Sequence, residues 1–250
     1  MTRGGNRWPV GDGAVSADAA GQLPLRLALS GGRRFTNFEV APDNAELVDA
    51  VRRIAADSTP ERVFLVGDAG SGKSHLLEAA SEAASAGGES VAFVPMRGWR
   101  SQHVDAVRGL GGSGLLCIDD IDAVAGDRRW EEALLALLEA SASRQARVLV
   151  SAAVSPSSIP FELADLQSRL NAATLYRLRE LDDESRARAL RRYAVARGIE
   201  IPDDVVGYVL TRYRRDMPSL VALLDRLDYQ SMAHQRRITV PFVRALIEAD

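Results

Sequence analysis

One eight-residue segment constrains this chain more than any other, because it fits the pattern G-x-x-x-x-G-K-[ST] at every fixed position. Its residues are Gly67, Asp68, Ala69, Gly70, Ser71, Gly72, Lys73 and Ser74. The apolar run 62–66 predicts a buried strand before it, and the residues from His75 onward predict a helix after it. In this context the loop wraps a phosphate with its backbone N–H groups, Lys73 reaches the β- and γ-phosphates, and the Ser74 hydroxyl holds Mg²⁺. An ordinary glycine-rich turn is the competing interpretation.

Composition restricts the class of protein. The 250 residues are 46% hydrophobic and 26% charged, which predicts a soluble globular chain with one large domain or two small ones. The single cysteine, Cys117, lies in an apolar run, so it is interpreted as a core residue, disulfides are excluded and a cytoplasmic location is predicted. No apolar stretch approaches the ~18 residues of a membrane span, and the net charge of −3 gives no global basic field for nucleic acid.

Hydrophobic runs alternate with helical patterns along the first two thirds of the chain. Strands are predicted at 62–66, 90–95, 114–118, 147–151 and 175–178. Helices are predicted from Pro42–Asn44 to about Ala56, after the glycine-rich loop, and near 129–144. Such alternation is typical of an α/β fold with a parallel sheet covered by helices on both faces.

The sequence also predicts the organisation of the chain into segments. Only helical patterns follow residue 181, with helices over 183–197, from about Pro202, over 217–234, and after Pro241. Residues 33–179 are therefore predicted to form the α/β domain and 181–250 a small all-helical domain. Residues 1–21 are rich in glycine, alanine and small polar residues, which predicts a disordered leader.

Two acidic residues, Asp119 and Asp120, close an apolar strand at the edge of the sheet where ligands bind in parallel α/β proteins. With a phosphate-binding loop upstream, Asp119 is predicted to hold Mg²⁺, directly or through water. Asp120 is predicted to orient or deprotonate the attacking water. The alternative is a solvated pair of carboxylates that begins a turn.

A short apolar peptide follows the leader at Gln22–Leu27, with leucines spaced by two and Pro24 between them. The spacing suits an extended strand. On its chemistry alone, the peptide either docks in a groove of another protein or folds as an edge strand onto its own domain.

The order of glycine-rich loop, acidic strand end and helical domain resembles that of AAA+ P-loop ATPases. Residues 35–38 and 118–121 look like the replication initiator DnaA, and Asp119-Asp120 is typical of that branch, because most AAA+ proteins have Asp-Glu there. More specifically, the chain resembles the Hda family of DnaA-homologous regulatory inactivators over about 22–247. That resemblance is carried by residues 119–126, 130–134, 224–228 and 235–243.

The resemblance implies residue roles and partners. Residues Gln22, Leu23, Leu25 and Leu27 match the motif with which that family binds the sliding clamp, the β subunit of DNA polymerase III. Arg169, in Ser168-Arg169-Leu170, matches an arginine finger that acts in trans on ATP bound to DnaA; a surface ion pair is the alternative. ADP or ATP with Mg²⁺ is implied as cofactor, bound by the loop together with His75, Phe38 and Asp119. Whether the chain forms a homodimer is left open. The resemblance implies that DNA is reached only through the clamp, and hence that the chain associates with the nucleoid.

Two positions depart from the family pattern. Ala153 stands where an Asn or Asp usually senses the γ-phosphate, so that only Ser151 or Ser155 could substitute. Pro218 stands where a lid arginine is expected, and Arg214 or Arg215 is the nearest replacement. Both departures predict weak or no intrinsic ATP hydrolysis and a bound ADP. Eight further arginines are interpreted as a solvated, acid-paired face rather than a DNA-binding patch: Arg186, Arg188, Arg191, Arg192, Arg197, Arg212, Arg214 and Arg215.

Three functional hypotheses follow from these features. The leading one is a negative regulator of replication initiation that binds ADP and the sliding clamp and presents Arg169 to DnaA-bound ATP. The second is a DnaA-like initiator or loader that hydrolyses its own ATP and acts on DNA or a helicase. The third is a clamp-binding adaptor whose nucleotide is only structural.

Overall fold

The computed structural model describes residues 32–57, 59–99, 104–234 and 236–248. The predictions for the leader 1–21 and for the peptide Gln22–Leu27 lie outside the described residues. Within this part of the chain, no helix combines the length and the apolar character that crossing a membrane requires.

Five parallel strands form one sheet in the order β2-β3-β4-β1-β5. Each predicted strand is confirmed, and its observed ends differ from the predicted ends by at most one residue. The bounds are β1 Arg62–Val66, β2 Val91–Pro95, β3 Leu115–Asp119, β4 Arg147–Ala152 and β5 Thr174–Arg177. Because all strands are parallel, the residues that follow β1, β3 and β4 meet at one edge of the sheet, which is called here the carboxyl edge.

Helices cover both faces of the sheet and make up the C-terminal part of the described chain. They are α1 Ala45–Ala56, α2 Lys73–Ala86, α3 Met96–Trp99, α4 Asp105–Arg108, α5 Arg128–Ser143, α6 Ala164–Asn171, α7 Asp183–Ala196, α8 Asp203–Arg212, α9 Met217–His234 and α10 Val240–Glu248. The sequence predicted no helix over 164–171. That short helix buries only Leu166 and Leu170, which is too few apolar residues to give a clear period.

Two apolar clusters sandwich the sheet. One face packs against α5 and α6 through residues such as Trp130, Leu134 and Leu166, and the other packs against α1 and α2 through residues such as Leu47 and Leu76. Strands β3 and β4 are buried along their whole length, which explains their nearly continuous apolar sequences. Cys117 belongs to this core, and burial raises the pKa of its thiol to about 12, as expected of a core residue rather than a nucleophile.

Helices α7 to α10 bury an apolar cluster of their own, which includes Leu190, Val206 and Leu224. The side chain of Asp182 accepts a hydrogen bond from the Ser185 N–H at 2.7 Å and so caps the start of α7. Gly198, just beyond α7, has a φ of 71°, the left-handed backbone with which many helices end.

A buried carboxylate joins the C-terminal helices to the segment before α1. Glu39, whose side chain is 6% exposed, accepts hydrogen bonds from Arg188 Nε at 2.6 Å and from Arg192 Nε at 2.7 Å. The side-chain amide of Asn44 adds a second tie, since it bonds both the N–H and the C=O of Arg179 at 2.9 Å. The chain leading into α7 is therefore fixed by polar contacts as well as by sequence continuity.

At the opposite edge of the sheet, Arg147 is an almost fully buried arginine at the start of β4. Its guanidinium donates to the C=O groups of Ile54, Ala55 and Asp57 and forms an ion pair with Glu89. Those three carbonyls close the C-terminus of α1, which a cation stabilises. Arg147 thus has a structural role.

Candidate functional site

The glycine-rich loop lies between β1 and α2, at the carboxyl edge. The backbone φ is 82° at Gly70 and 108° at Gly72, values that favour glycine, and α2 begins at the next residue, Lys73. The Lys73 ammonium group is buried in the loop, where its Nζ donates to Gly67 O at 2.7 Å and to Asp68 O at 2.9 Å. This cation beside the N-terminus of a 14-residue helix makes a cradle for a phosphate.

Other side chains close around the loop. A Cβ on Gly70 would lie 2.8 Å from Pro218 Cδ, and a Cβ on Gly72 would lie 3.0 Å from Phe38 Cε2. Pro218, at the start of α9, therefore packs directly on the loop. A larger residue at Gly70 would have to push α9 away, so glycine is required there for space as well as for its backbone angle.

His75 connects α2 to the segment before α1. Its Nε2 lies 3.0 Å from both Arg34 O and Asn37 Oδ1, and its ring packs edge-on against Phe38 with 5.1 Å between centroids. Burial lowers the pKa of His75, an effect partly opposed by its hydrogen bond to the Arg34 carbonyl. The imidazole thus holds Phe38 against Gly72, so that both residues, for which the resemblance implies nucleotide binding, lie beside the loop.

Asp119, the last residue of β3, lies beside the loop and is buried. Its Oδ1 accepts a 2.5 Å hydrogen bond from Ser151 Oγ. Burial raises its pKa, while hydrogen bonds from the Ser151 and Ser74 hydroxyls lower it. Ser74 and Asp119 are therefore within reach of each other, and their hydroxyl and carboxylate oxygens are hard ligands of the kind Mg²⁺ takes. Both residues fit the predicted magnesium site.

Asp120 adopts a left-handed backbone with a φ of 53°, and its N–H donates to Ser151 Oγ at 3.0 Å. Its carboxylate is paired, since Asp120 Oδ2 accepts a 2.6 Å hydrogen bond from Arg97 Nε, and the Arg97 side chain is 67% exposed. The carboxylate raises the pKa of Arg97. The sequence analysis missed Arg97, because nothing local links a residue on α3 to a strand end 23 positions later.

The two departures from the family pattern have different surroundings. At the end of β4, Ser151 supplies the polar contact to Asp119, whereas Ser155 bonds only to Ser157 and Ser158. Ala153 has no polar side-chain group, and its backbone N–H donates to Asp122 Oδ2 at 3.2 Å. Of the two serines that the sequence left open, Ser151 is the one at the site.

Beside Pro218, a pocket of about 140 Å³ separates the loop from the C-terminal helices. Arg186 and Arg215 line it together with Ala69, Gly70 and Ser71. Both guanidinium groups are already paired with Asp183, at 2.6 Å and 3.4 Å. Arg215, which the sequence suggested as a replacement cation, thus lies at the pocket.

Arg169 lies at the opposite edge of the sheet. It is on α6, and it lines a small apolar gap with Arg62 and Val63, the first residues of β1. Since a strand rises about 3.3 Å per residue, the four steps from Val63 to Gly67 put the loop roughly 13 Å farther along β1. Arg169 is 38% exposed and its Nη2 donates to Glu139 Oε1 at 2.9 Å, which is the surface ion pair that the sequence analysis named as the alternative.

Most of the arginines after residue 181 are paired with carboxylates. Of the eight that the sequence analysis named, six form ion pairs within 3.4 Å: Arg186, Arg188, Arg191, Arg192, Arg197 and Arg215. This supports the interpretation of a solvated, acid-paired face. No group of three or more His, Cys, Asp or Glu side chains suited to a metal was found in the part of the chain that the structure describes.

A five-stranded parallel sheet with a phosphate-binding loop after β1, paired acids after β3 and a helical C-terminal region defines an AAA+ P-loop protein of the DnaA type. The family model of the bacterial DnaA ATPase domain matches residues 29–176, more than half of the chain. The chain belongs to that family. The model of the Hda lid domain matches residues 183–247, so the C-terminal helices are a lid of the Hda type. Together the two matches support a DnaA-related replication regulator.

Solved structures share the fold at low sequence identity. Domain III of the replication initiation protein DnaA from Thermotoga maritima has a TM-score of 0.78 at 19% identity, covering 87% of this chain and 96% of that one. A DnaA bound to AMPPCP and single-stranded DNA has a TM-score of 0.64 at 18% identity, covering 81% and 67%. The RuvB Holliday junction branch migration motor of T. maritima has a TM-score of 0.65 at 17% identity, covering 88% and 72%. These similarities establish the fold.

Proposed function

We propose that this chain is a negative regulator of replication initiation that stimulates hydrolysis of ATP bound to DnaA. In this proposal it binds ADP at the glycine-rich loop and the sliding clamp through Gln22–Leu27, and it supplies Arg169 as an arginine finger. An arginine in that role stabilises the charge that develops on the transferred phosphoryl group. The Hda-type lid and the DnaA-type ATPase region support this assignment over other AAA+ functions.

The separation of Arg169 from the loop of its own chain carries the proposal. The two lie at opposite edges of the sheet, about the length of β1 apart, so Arg169 cannot contact a phosphate held by Lys73 of the same molecule. An exposed arginine at that edge can reach only a nucleotide on a neighbouring molecule. Its partner Glu139 is 52% exposed, and an exposed ion pair of this kind is worth only about 0.2–1 kcal/mol, so a phosphate replaces it at little cost.

The surroundings of the loop support tight nucleotide binding with weak hydrolysis. Lys73, Ser74 and Asp119 retain the positions that phosphate and Mg²⁺ need, and a related DnaA binds AMPPCP. Asp120, however, is paired with Arg97, and Ala153 carries no polar side-chain group. At the position of Ala153, a polar side chain that would sense the γ-phosphate is therefore absent, which favours a stable ADP complex.

The proposal is tested by measuring conversion of ATP to ADP on DnaA in the presence of DNA-loaded sliding clamp. The unmodified chain is expected to stimulate conversion, and Arg169→Ala is expected to lower that stimulation by about 10³-fold or more, the scale of known trans arginine fingers. Arg128→Ala is the matched control, because Arg128 is also an exposed arginine in an ion pair. Equal conversion with Arg169→Ala and the unmodified chain would show that Arg169 is not a finger.

The same assay distinguishes the proposed regulator from a clamp-binding adaptor. If the nucleotide site is only structural, deletion of Gln22–Leu27 abolishes stimulation while Arg169→Ala has no effect. If both changes abolish stimulation, clamp binding and the finger are both required, as proposed.

A second candidate function is a DnaA-like motor or loader, favoured by the fold shared with a DnaA bound to single-stranded DNA. It requires efficient hydrolysis at the chain's own loop, which Ala153 and Pro218 oppose because neither has a polar side-chain group for the γ-phosphate. DNA-stimulated ATP turnover by the purified chain alone, lost in Lys73→Ala, would support this candidate over the regulator.

A further inference from the structure

Glu131, on α5, is a carboxylate with no exposed surface, and it joins two distant segments of backbone. Its Oε1 accepts a hydrogen bond from the Gly126 N–H at 2.8 Å, and its Oε2 accepts one from the Leu163 N–H at 2.8 Å. A buried carboxylate costs free energy unless such hydrogen bonds offset the loss of water. Both oxygens are used for backbone groups, so Glu131 acts as a bridge.

The two bridged segments lie side by side, because the two oxygens of one carboxylate reach both of their N–H groups. Gly126 ends the stretch that follows Asp120, and this stretch is fixed in the core by Ile121 and Val124. Leu163 immediately precedes α6, the helix that carries Arg169. Glu131 therefore connects the backbone beyond Asp120 to the start of the Arg169 helix.

Helix α6 needs such a fixed point. It has eight residues, its N-cap residue Leu163 makes no side-chain capping bond, and its buried contacts come from Leu166 and Leu170. Apolar contacts are non-directional, so on their own they tolerate sliding of the helix along its groove. A charge-assisted hydrogen bond is directional, and one at the first turn fixes where the helix begins. A carboxylate near a helix N-terminus also stabilises the helix dipole.

We propose that Glu131 is a positioning residue for Arg169, an inference that rests on the proposed function. Through the Leu163 N–H, it sets the position of α6 along α5 and thereby the point at which the Arg169 guanidinium is presented to the partner. On the same helix α5, Glu139 lies two turns further on, next to Arg169 itself. Misplacement of a catalytic group by about 1 Å costs roughly 10²-fold in rate.

Glu131→Gln is the test, because it keeps the shape of the side chain but turns an NH₂ group toward one of the two N–H donors. In the DnaA assay, the plateau of stimulated ATP conversion at saturating chain is expected to fall about 10- to 100-fold. The chain concentration at half the plateau is expected to stay unchanged, since no partner-facing surface is altered. A merely structural role would do the opposite, because fewer folded molecules raise that concentration and leave the plateau intact.

Asn44→Ala is the matched control for lost stability. Asn44 is also fully buried and also makes two hydrogen bonds to backbone groups, but it ties α1 to Arg179 and not to α6. It is expected to lower thermal stability and keep the plateau. If Glu131→Gln does not fold, Glu131→Asp takes its place, because it retains the charge but is too short to reach both N–H groups.

Including Arg169→Ala in the same experiment distinguishes failure of the positioning role from failure of the proposed function. A plateau lost in Arg169→Ala but retained in folded Glu131→Gln overturns the positioning role and leaves the proposed function standing. A plateau retained in both variants overturns the proposed function and the positioning role together.

Discussion

The glycine-rich loop at the carboxyl edge and the Arg169 site at the opposite edge hold their functional side chains in different ways. At the carboxyl edge, Lys73 and Asp119 are buried and held by neighbours in the same chain, and Asp120 is paired with Arg97. At the other functional edge, Arg169 is exposed and has one exposed partner, Glu139. The first edge is built to hold a ligand, and the second leaves its cation free to exchange partners. Under the proposed function, nucleotide binding and the action on DnaA therefore belong to different surfaces of this molecule.

The largest expected effect on nucleotide affinity lies at the carboxyl edge, in Lys73→Ala. A hydrogen bond to a charged group contributes about 1.5–3 kcal/mol, so loss of the ammonium contacts to the phosphates is expected to weaken ADP binding by about 100-fold. Isothermal titration calorimetry with ADP and Mg²⁺ measures this. Arg169→Ala serves as control and should leave ADP affinity unchanged, because Arg169 lies at the other edge. A loss of affinity in the control would contradict the separation of the two edges.

A smaller effect is expected from pH at the carboxyl edge, through His75. Because burial lowers its pKa in the folded chain, the unfolded chain binds the proton first as the pH falls below about 6.5. The free energy of unfolding is therefore expected to fall as the pH drops from about 7 toward the lowered pKa, with a slope of at most about 1.4 kcal/mol per pH unit.

Urea denaturation of the unmodified chain and of His75→Gln at a series of pH values between 7.5 and 5.5 checks this expectation. The difference between the two curves isolates His75, because the carboxylates, including the buried Glu78 whose pKa is raised by burial, are common to both. A difference that does not change with pH would contradict the assignment.

The smallest effect is expected at the Arg169 edge, in Glu139→Gln. Exposed ion pairs contribute about 0.2–1 kcal/mol, so the free energy of unfolding is expected to fall by less than 1 kcal/mol. Glu132→Gln, which breaks the exposed pair with Arg128, is the comparison and should behave alike. Thermal denaturation measures both, and a drop in Glu139→Gln several times larger than in Glu132→Gln would mean that Arg169 is held rather than free.

Features set by a few consecutive residues could be predicted from the sequence. The strands are short apolar runs, and the glycine-rich loop is a contiguous motif, so local pattern was enough to assign the sheet and the residues around Lys73. The contacts that govern the site join residues far apart in the chain. Arg97 and Asp120 are separated by 23 positions, Glu131 and Leu163 by 32, and Glu39 and Arg192 by 153. No local period links such pairs, and only the packed fold brings them together.

Helix α6 is a second example of a feature that could not be predicted from the sequence. The family resemblance singled out Arg169, but no local pattern indicated that a helix carries it or that Glu139 pairs with it. Only the structure reveals that Arg169 lies near the first residues of β1, whereas the loop follows the last, and this separation supports the proposed role in trans.

The shared carboxylate of Glu39 also restricts how this sequence can evolve. If Arg188 or Arg192 is replaced, Glu39 keeps the other arginine as its partner. If Glu39 is replaced first, Arg188 keeps its ion pair with Glu184, but the two guanidinium groups one helical turn apart lose the counter-charge that they share. Mutational paths through this contact are therefore ordered, with an arginine changing before Glu39, and the three positions are expected to covary among descendants of the sequence.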